Sequence, residues 1–337
     1  MDSAYVLALI DALAGRRVAV IGDVVADEFV YGRVARVSRE APVLILEYDS
    51  TQIVPGAAGN AANNVATLGG RVTLVAVVGR DEPGRRLIGA LHPRVHRGRI
   101  LRAANHTTPV KTRILAGGIH SAKQQVVRID RAVMPVSDAR SRAAFERAAL
   151  QSAVDADAVL VSDYGSDLVT PALVSKMRAA ILRKERPVPI LIDTRYRLLS
   201  YRGFTACTPN ESEVEHALGF KIGSDTRRLE EAGASLLKQL QVKAVLITRG
   251  RDGMALFVAG EEPVHIPIFG TDEIADVTGA GDTVIAVFTL ALAVGANFME
   301  AARLSNYAGG IVVMKRGTAT LSAEELRQAV MLDQNPA

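Results

Sequence analysis

The chain has 337 residues, enough for one large α/β domain or two small ones. Hydrophobic residues make up 49% of it, in runs of about eight or fewer where a membrane span needs about 20, so neither a span nor a membrane partner is expected. The formal charge is +4, but the 40 Lys and Arg residues are dispersed, aromatics make up 4% and Trp is absent, so platforms for stacking bases are scarce and no nucleic-acid partner is expected.

The first residues, Met1-Asp2-Ser3-Ala4-Tyr5, lack the basic stretch of a secretory signal, and a single cysteine, Cys207, has no internal partner for a disulfide; both fit a cytoplasmic location. Arg17–Gly22 reads as a buried strand, Asn60–Leu68 as a helix and Val72–Val78 as the next strand. Ser141–Ala153, Pro171–Glu185 and Ser224–Leu240 read as helices between the strands Ala158–Ser162, Val188–Asp193 and Ala244–Thr248. This alternation predicts an α/β fold with a mostly parallel sheet covered on both faces. Two stretches, 29–49 and 110–130, alternate like strands without intervening helices. They predict a small separate sheet, inserted in two pieces, that closes over a ligand as a lid. Residues 1–330 are then one domain, with 331–337 as a frayed tail.

The strongest chemical signal is Asp276-Val277-Thr278-Gly279-Ala280-Gly281-Asp282-Thr283, followed by the apolar run Val284–Val294. Gly279, Ala280 and Gly281 open a helix whose first N–H groups lack intrahelical partners, a place suited to phosphate. Asp282 beside such a site would repel a phosphate, so it suits a base that takes a proton from an attacking hydroxyl. Its other reading is an acidic residue that stabilises a helix N-terminus. Gly22-Asp23-Val24-Val25-Ala26-Asp27 puts two carboxylates after the first strand, where they suit hydrogen bonds to sugar hydroxyls. Pro55-Gly56-Ala57-Ala58-Gly59-Asn60 combines close backbone approach with amide donors and acceptors, or is a tight turn with an Asn cap.

These motifs, in this order, resemble the PfkB or ribokinase-like carbohydrate kinases over nearly the whole chain. The resemblance implies a ribokinase-like three-layer fold with a small β-sheet lid, and the cofactors ATP and Mg²⁺. It makes Asp282 the catalytic base and Gly279, Ala280 and Gly281 the anion hole. It assigns Asn210 and Glu213, from Thr208-Pro209-Asn210-Glu211-Ser212-Glu213, to Mg²⁺ through water, although a loop amide and carboxylate by themselves read as solvated groups. Thr248, Gly250, Gly253, Thr278, Asn210 and Asn306 would border the nucleotide. Asp27, Gly56, Asn60, Lys111, Gln124 and Arg128 would face the sugar.

A subgroup lies nearer. Tyr31-Gly32, Arg36-Val37-Ser38, Glu40-Ala41-Pro42-Val43, Gln124-Gln125, Arg128 and Asp130, Ser162-Asp163-Tyr164 and Gly317-Thr318-Ala319-Thr320 resemble the heptose 7-phosphate kinase domain of lipopolysaccharide-core biosynthesis. The implied reaction phosphorylates O1 of a heptose 7-phosphate, and no second activity is expected, since the sequence ends after the kinase. The chain departs from the subgroup at Asp193-Thr194-Arg195 (usually Asp-Pro-Lys), at Ser166 (usually Lys), at Gly56-Ala57-Ala58-Gly59-Asn60 and around 117–121. All four lie on the expected sugar side. A kinase of free sugars, nucleosides or a vitamin shares the chemistry, and a non-catalytic sugar or nucleotide sensor shares the fold. The exposed edges of the lid strands point to a homodimer.

Overall fold

The structure, a computed structural model, describes residues 3–117, 123–131, 134–184, 187–270 and 275–334. Helix α1 (Ser3–Ala12) leads into β1 (Arg17–Gly22), and two long strands follow, β2 (Val24–Val37) and β3 (Leu44–Ala57). Next come α2 (Ala58–Thr67), β4 (Arg71–Gly79), α3 (Glu82–Ala90), β5 (Val95–His96), β6 (Ile100–Ala103), β7 (Val110–Gly117) and β8 (Gln124–Arg131). The second half holds α4 (Ala139–Asp155), β9 (Ala158–Asp163), α5 (Pro171–Ile181), β10 (Ile190–Thr194), β11 (Ala206–Cys207), α6 (Glu211–Leu218) and α7 (Thr226–Leu240). It closes with β12 (Ala244–Thr248), β13 (Met254–Val258), β14 (Val264–Ile266), α8 (Ala280–Ala293), α9 (Phe298–Val313) and α10 (Ala323–Gln334).

Among the described residues the main sheet runs β14-β13-β12-β11-β10-β9-β1-β4-β5, with β6 beside β4. It is parallel except for β13 and β14, which return as an antiparallel edge. The central strands are buried on both faces; β1 is Arg-Val-Ala-Val-Ile-Gly, apolar after its first residue. One core lies on the α2 and α8 face and includes Val20, Leu74, Leu160, Ile285 and Phe288. The other lies on the α4, α5 and α7 face and includes Ile21, Val161, Phe145, Met177 and Leu236. The expected three layers are present.

Helix bounds shift from the expected ones where a cap decides them. Asp138 accepts from the amides of Arg140 and Ser141, so α4 begins at Ala139 rather than Ser141. Helix α5 ends at Ile181; Glu185 lies outside the described residues. The C-terminal helix runs to Gln334, and Asp333 accepts from the Tyr307 hydroxyl at 2.7 Å, so 331–334 are helix rather than frayed tail. Residues 335–337 lie outside the described residues.

The second sheet has the order β3-β2-β7-β8 and is built from the two expected pieces. Its strands are longer than 29–49 implies, because β2 starts directly after β1 and β3 runs into α2. Gly22 makes the junction: its φ is +151°, and a side chain there would collide with the backbone of Ser162. Around Gly117 the expected extra lid residues 118–121 lie outside the described residues. Val37, Leu44, Tyr48, Val126, Val127 and Ile129 of this sheet are exposed.

Candidate active site

A cleft of about 640 Å³ opens between the carboxyl ends of the main-sheet strands, the start of α8 and the inner side of the small sheet. Such an edge is where open α/β sheets bind ligands. Asp282, in the first turn of α8, lines it and is buried. Asn60 Nδ2 donates to Asp282 Oδ2 at 3.1 Å, and the Tyr164 hydroxyl donates to Oδ1 at 3.3 Å. Burial pushes the Asp282 carboxyl up to about 7; Asp27 adds to the rise, while the two hydrogen bonds and the charge of Lys111 oppose it. A carboxyl poised there takes up a proton readily near neutrality.

The residues before Asp282 form the helix mouth. Gly279 is the N-cap, with φ +79° and no side-chain cap. A Cβ on it would lie 2.5 Å from Asn60 Nδ2 and 2.9 Å from Thr318 Cγ2, so the turn accepts only glycine. Gly281 has the opposite surroundings: a Cβ there meets nothing within 4 Å, and the residue faces the open cleft. Asp276 secures the preceding loop, accepting from Thr278 N at 2.9 Å and from Gly317 N at 3.0 Å. Gly279, Ala280, Gly281 and Thr278 all line the cleft.

On the lid side Asp27 lines the cleft but is already partnered. Arg113 Nη1 donates to its Oδ1 at 2.6 Å, and Thr318 Oγ1 donates to its Oδ2 at 3.0 Å. A side chain on Gly56 would collide with that carboxylate, so Gly56 makes room for Asp27 and does not line the cleft. Asp23, expected beside it, faces inward: it accepts from Tyr164 N at 2.7 Å, Ser166 N at 3.2 Å and Ser166 Oγ. Ser166, standing where the subgroup has Lys, thus anchors the loop after β9 to the end of β1. Lys111, Arg128 and Arg195 line the cleft, with Lys111 over the Tyr164 ring at 5.5 Å. Gln124, at the start of β8, is exposed and does not line it. Asn60 is not turned to the cleft; its amide is taken by Asp282 and by the carbonyl of Gly279 at 3.1 Å.

The other half of the cleft is lined by Asn210, Glu213, Thr248, Gly250, Gly253 and Asn306. Asn210 and Glu213 form a capping box for α6: Glu213 N donates to Asn210 Oδ1 at 2.9 Å, and Asn210 N donates to Glu213 Oε2 at 3.0 Å. A backbone bridge pairs Asn210 with Thr248. Gly253 has φ +77° and lies against the backbone of Ile266, leaving no space for a side chain. Asn306 Nδ2 donates to Pro267 O at 2.8 Å. Apolar Met254, Ile268, Val284 and Val313 lie among them, with the helix glycines Gly309 and Gly310.

Sequence reasoning left Asp193, Tyr164 and the Gly309-Gly310 pair without a role. The signal for the first two was available: each stands at or just after the end of a buried strand. Burial holds the Asp193 carboxyl well above the usual range, with Asp282 and Glu213 adding to the effect. Glu213 is raised too, chiefly by burial, against the backbone hydrogen bond at Asn210 and the charge of Arg195. Two half-buried carboxyl groups therefore face one cleft, with Arg195 as the cation acting on both.

Comparison with known proteins gives this arrangement a class. The family model described as pfkB family carbohydrate kinase matches residues 16–326. The chain is 41% identical over 319 residues to the bifunctional protein HldE of Caulobacter sp. (strain K31), covering 94% of this chain and 63% of that protein. It is 40% identical over 309 residues to the protein of the same name from Geobacter metallireducens, covering 91% and 61%. The chain therefore spans less than two thirds of these relatives. The fold is similar to that of Arabidopsis thaliana ribokinase complexed with ribose and ATP, with a TM-score of 0.69 at 22% identity, covering 94% of this chain and 99% of that one. For phosphofructokinase-2 from Escherichia coli in complex with substrates and products the TM-score is 0.72 at 16% identity, covering 96% and 100%. The fold is ribokinase-like, and the chain belongs to the pfkB family of carbohydrate kinases, which transfer phosphate to a sugar hydroxyl. Among the described residues no helix is long and apolar enough to cross a membrane.

Proposed function

We propose that this chain transfers the γ-phosphate of ATP to a hydroxyl of a sugar phosphate, with O1 of a heptose 7-phosphate as the acceptor and a heptose 1,7-bisphosphate as the product. The observation that carries the kinase chemistry is Asp282, buried, raised to about 7 and placed one residue after Gly281 at an uncapped helix start. The sugar hydroxyl loses its proton to Asp282 and attacks the γ-phosphorus in line, while the amides of Gly279 and Gly281 face the charge that spreads over the phosphoryl oxygens; the Ala280 amide is already taken by Val277 O at 3.3 Å. ATP lies along Thr248, Gly250, Gly253 and Asn306, and the sugar lies under the lid near Asp27.

The residues present fit Mg²⁺. Asp193 and Glu213 supply two half-buried carboxyl groups on the cleft wall, and the capping box holds Asn210 and Glu213 in place. Among the described residues no group of three His, Cys, Asp or Glu is placed to hold a metal ion. Mg²⁺ bound at the cleft wall would offset negative charge on the phosphates.

Lys111, Arg128 and Arg195 support a phosphorylated acceptor, because the two guanidinium groups pair with phosphate through a planar fork and the Lys111 ammonium adds a point charge. Arg195 takes the position where the heptose kinase subgroup carries Lys. The heptose itself rests on that resemblance. The exposed apolar side chains of the small sheet support a homodimer formed lid to lid. The test is kcat/KM for each sugar against its phosphorylated form, at fixed ionic strength. A preference of at least tenfold for the heptose 7-phosphate is expected, and equal use of the free sugar would reduce the reading to a general sugar kinase.

A further inference from the structure

Asn60 stands in a stretch expected to touch sugar, yet its side chain turns the other way, and its orientation is fixed from both ends. One end is the donor: Nδ2 reaches Asp282 Oδ2 and the carbonyl of Gly279, both at 3.1 Å. The other is the acceptor: Asn60 Oδ1 receives Nδ2 of Asn64, one helical turn on, at 3.1 Å. Asn64 cannot be turned over either. Its Nδ2 also donates to the Asn60 carbonyl at 3.1 Å, and its Oδ1 accepts from Leu321 N at 3.4 Å. Asn60 and Asn64 are both buried.

An amide side chain has two nearly isosteric orientations, and only hydrogen-bond partners choose between them. Turned over, Asn60 would aim its carbonyl oxygen at the Asp282 carboxylate, replacing attraction with repulsion. We infer that Asn64 is a positioning residue for the catalytic base: it holds Asn60 with its amino group toward Asp282, which fixes the carboxylate and favours its ionised form. This inference rests on Asp282 being the base.

The charges around Asp282 define what the Asn60 hydrogen bond has to balance. Asp27 on β2 opposes its ionisation and Lys111 on β7 favours it, while the charge of Asp282 helps to raise Asp193 on β10. The Tyr164 hydroxyl, after β9, donates to Oδ1. Glu213 on α6 and Arg195 after β10 face Asp193 and Tyr164 in the same cleft. With one carboxylate, Asp27, set against one ammonium, Lys111, a neutral donor locked in one orientation tips the balance. Asn63, between the two, provides an internal comparison: it is buried on the same helix, but its Oδ1 accepts from His92 N at 2.8 Å, away from the base.

The experiment compares the pH dependence of kcat in the wild type, Asn64→Leu and Asn63→Ala, with ATP and the preferred sugar both saturating. For Asn64→Leu the acid limb is expected to move up by about one pH unit, the size of a lost hydrogen bond to a charged group. The plateau rate should fall about tenfold, with both KM values within about twofold. Asn63→Ala should lose comparable thermal stability and keep the wild-type limb. Asn60→Ala, which removes the donor itself, should shift the limb at least as far as Asn64→Leu and stands in for it if that variant does not fold. A wild-type limb in folded Asn64→Leu, whatever Asn60→Ala does, would overturn the inference, as would a wild-type limb in Asn60→Ala. Full activity of Asp282→Asn would instead overturn the assignment of the base, which keeps the two failures distinct.

Discussion

Arg113 donates through Nη1 to Asp27 Oδ1 at 2.6 Å, and the two side chains are only 9% and 8% exposed. Asp27 thus meets the sugar side as half of a buried ion pair. Removing one partner of such a pair leaves an uncompensated charge, at a cost of about 3–5 kcal/mol. Arg113→Met is therefore expected to lower the urea midpoint and to raise the sugar KM together. A variant of unchanged stability would show that the pair is solvated in solution.

Asp282→Asn keeps the shape of the side chain and removes the base. Turnover should fall about 10²–10⁴-fold while ATP still binds, measured by single-turnover kinetics and nucleotide titration. Turnover above half the wild-type value would sink the assignment.

The same carboxyl predicts two pH effects of opposite benefit. Its proton is held to about pH 7 in the folded chain, against 3.8 ordinarily. In the proposed role Asp282 acts in its ionised form, so the rate should climb through about pH 7 and level off above. The native state binds the proton more tightly than the unfolded one, so this group's contribution to stability falls as pH rises from about 4 to about 7. Asp282→Asn should accordingly melt at a higher temperature than the wild type at pH 8, with the gap closing toward pH 4. Scanning calorimetry at both pH values checks this.

Gly279 and Gly281 are two residues apart and should answer differently. Gly279→Ala forces a side chain onto Asn60 in a left-handed backbone, and should lower both the melting temperature and kcat. A Cβ at Gly281 meets no protein atom within 4 Å, so for Gly281→Val the melting temperature should hold while kcat drops at least tenfold through crowding of the phosphate. Full activity in the second variant would remove the amides from the mechanism.

The lid-to-lid dimer is tested by Ile129→Glu combined with Tyr48→Ser, both exposed on the small sheet. The wild type is expected to sediment as a dimer and the double variant as a monomer. A wild-type monomer at micromolar concentration would discard the proposal.

The strands of the main sheet could be read from the sequence because their evidence is local. Arg17–Gly22 and Ala244–Thr248 have the expected bounds, since short runs of Val, Ile and Leu bury both faces. The mouth of α8 was equally plain from Gly279-Ala280-Gly281. What sequence reading missed depends on partners remote along the chain. The residue that occupies the Asn60 amide lies 222 positions away, and the cation that holds Asp27 lies 86 positions away. Neither separation leaves a periodic mark. Gly56 read as a close approach to ligand because a glycine reports that space is needed without saying for what; here it is the carboxylate of Asp27.

Two consecutive residues join the halves of the cleft. Gly317 N is held by Asp276, which shapes the loop before α8, and Thr318 Oγ1 is held by Asp27 on the lid side. A dipeptide is too short to bend independently at its two ends, so the phosphate loop and the sugar-side carboxylate share one mechanical link. If the proposed seats of nucleotide and sugar are right, a shift at one is expected to reach the other through this dipeptide. By thermodynamic linkage, whatever help the nucleotide gives the sugar through this dipeptide, the sugar returns in equal measure.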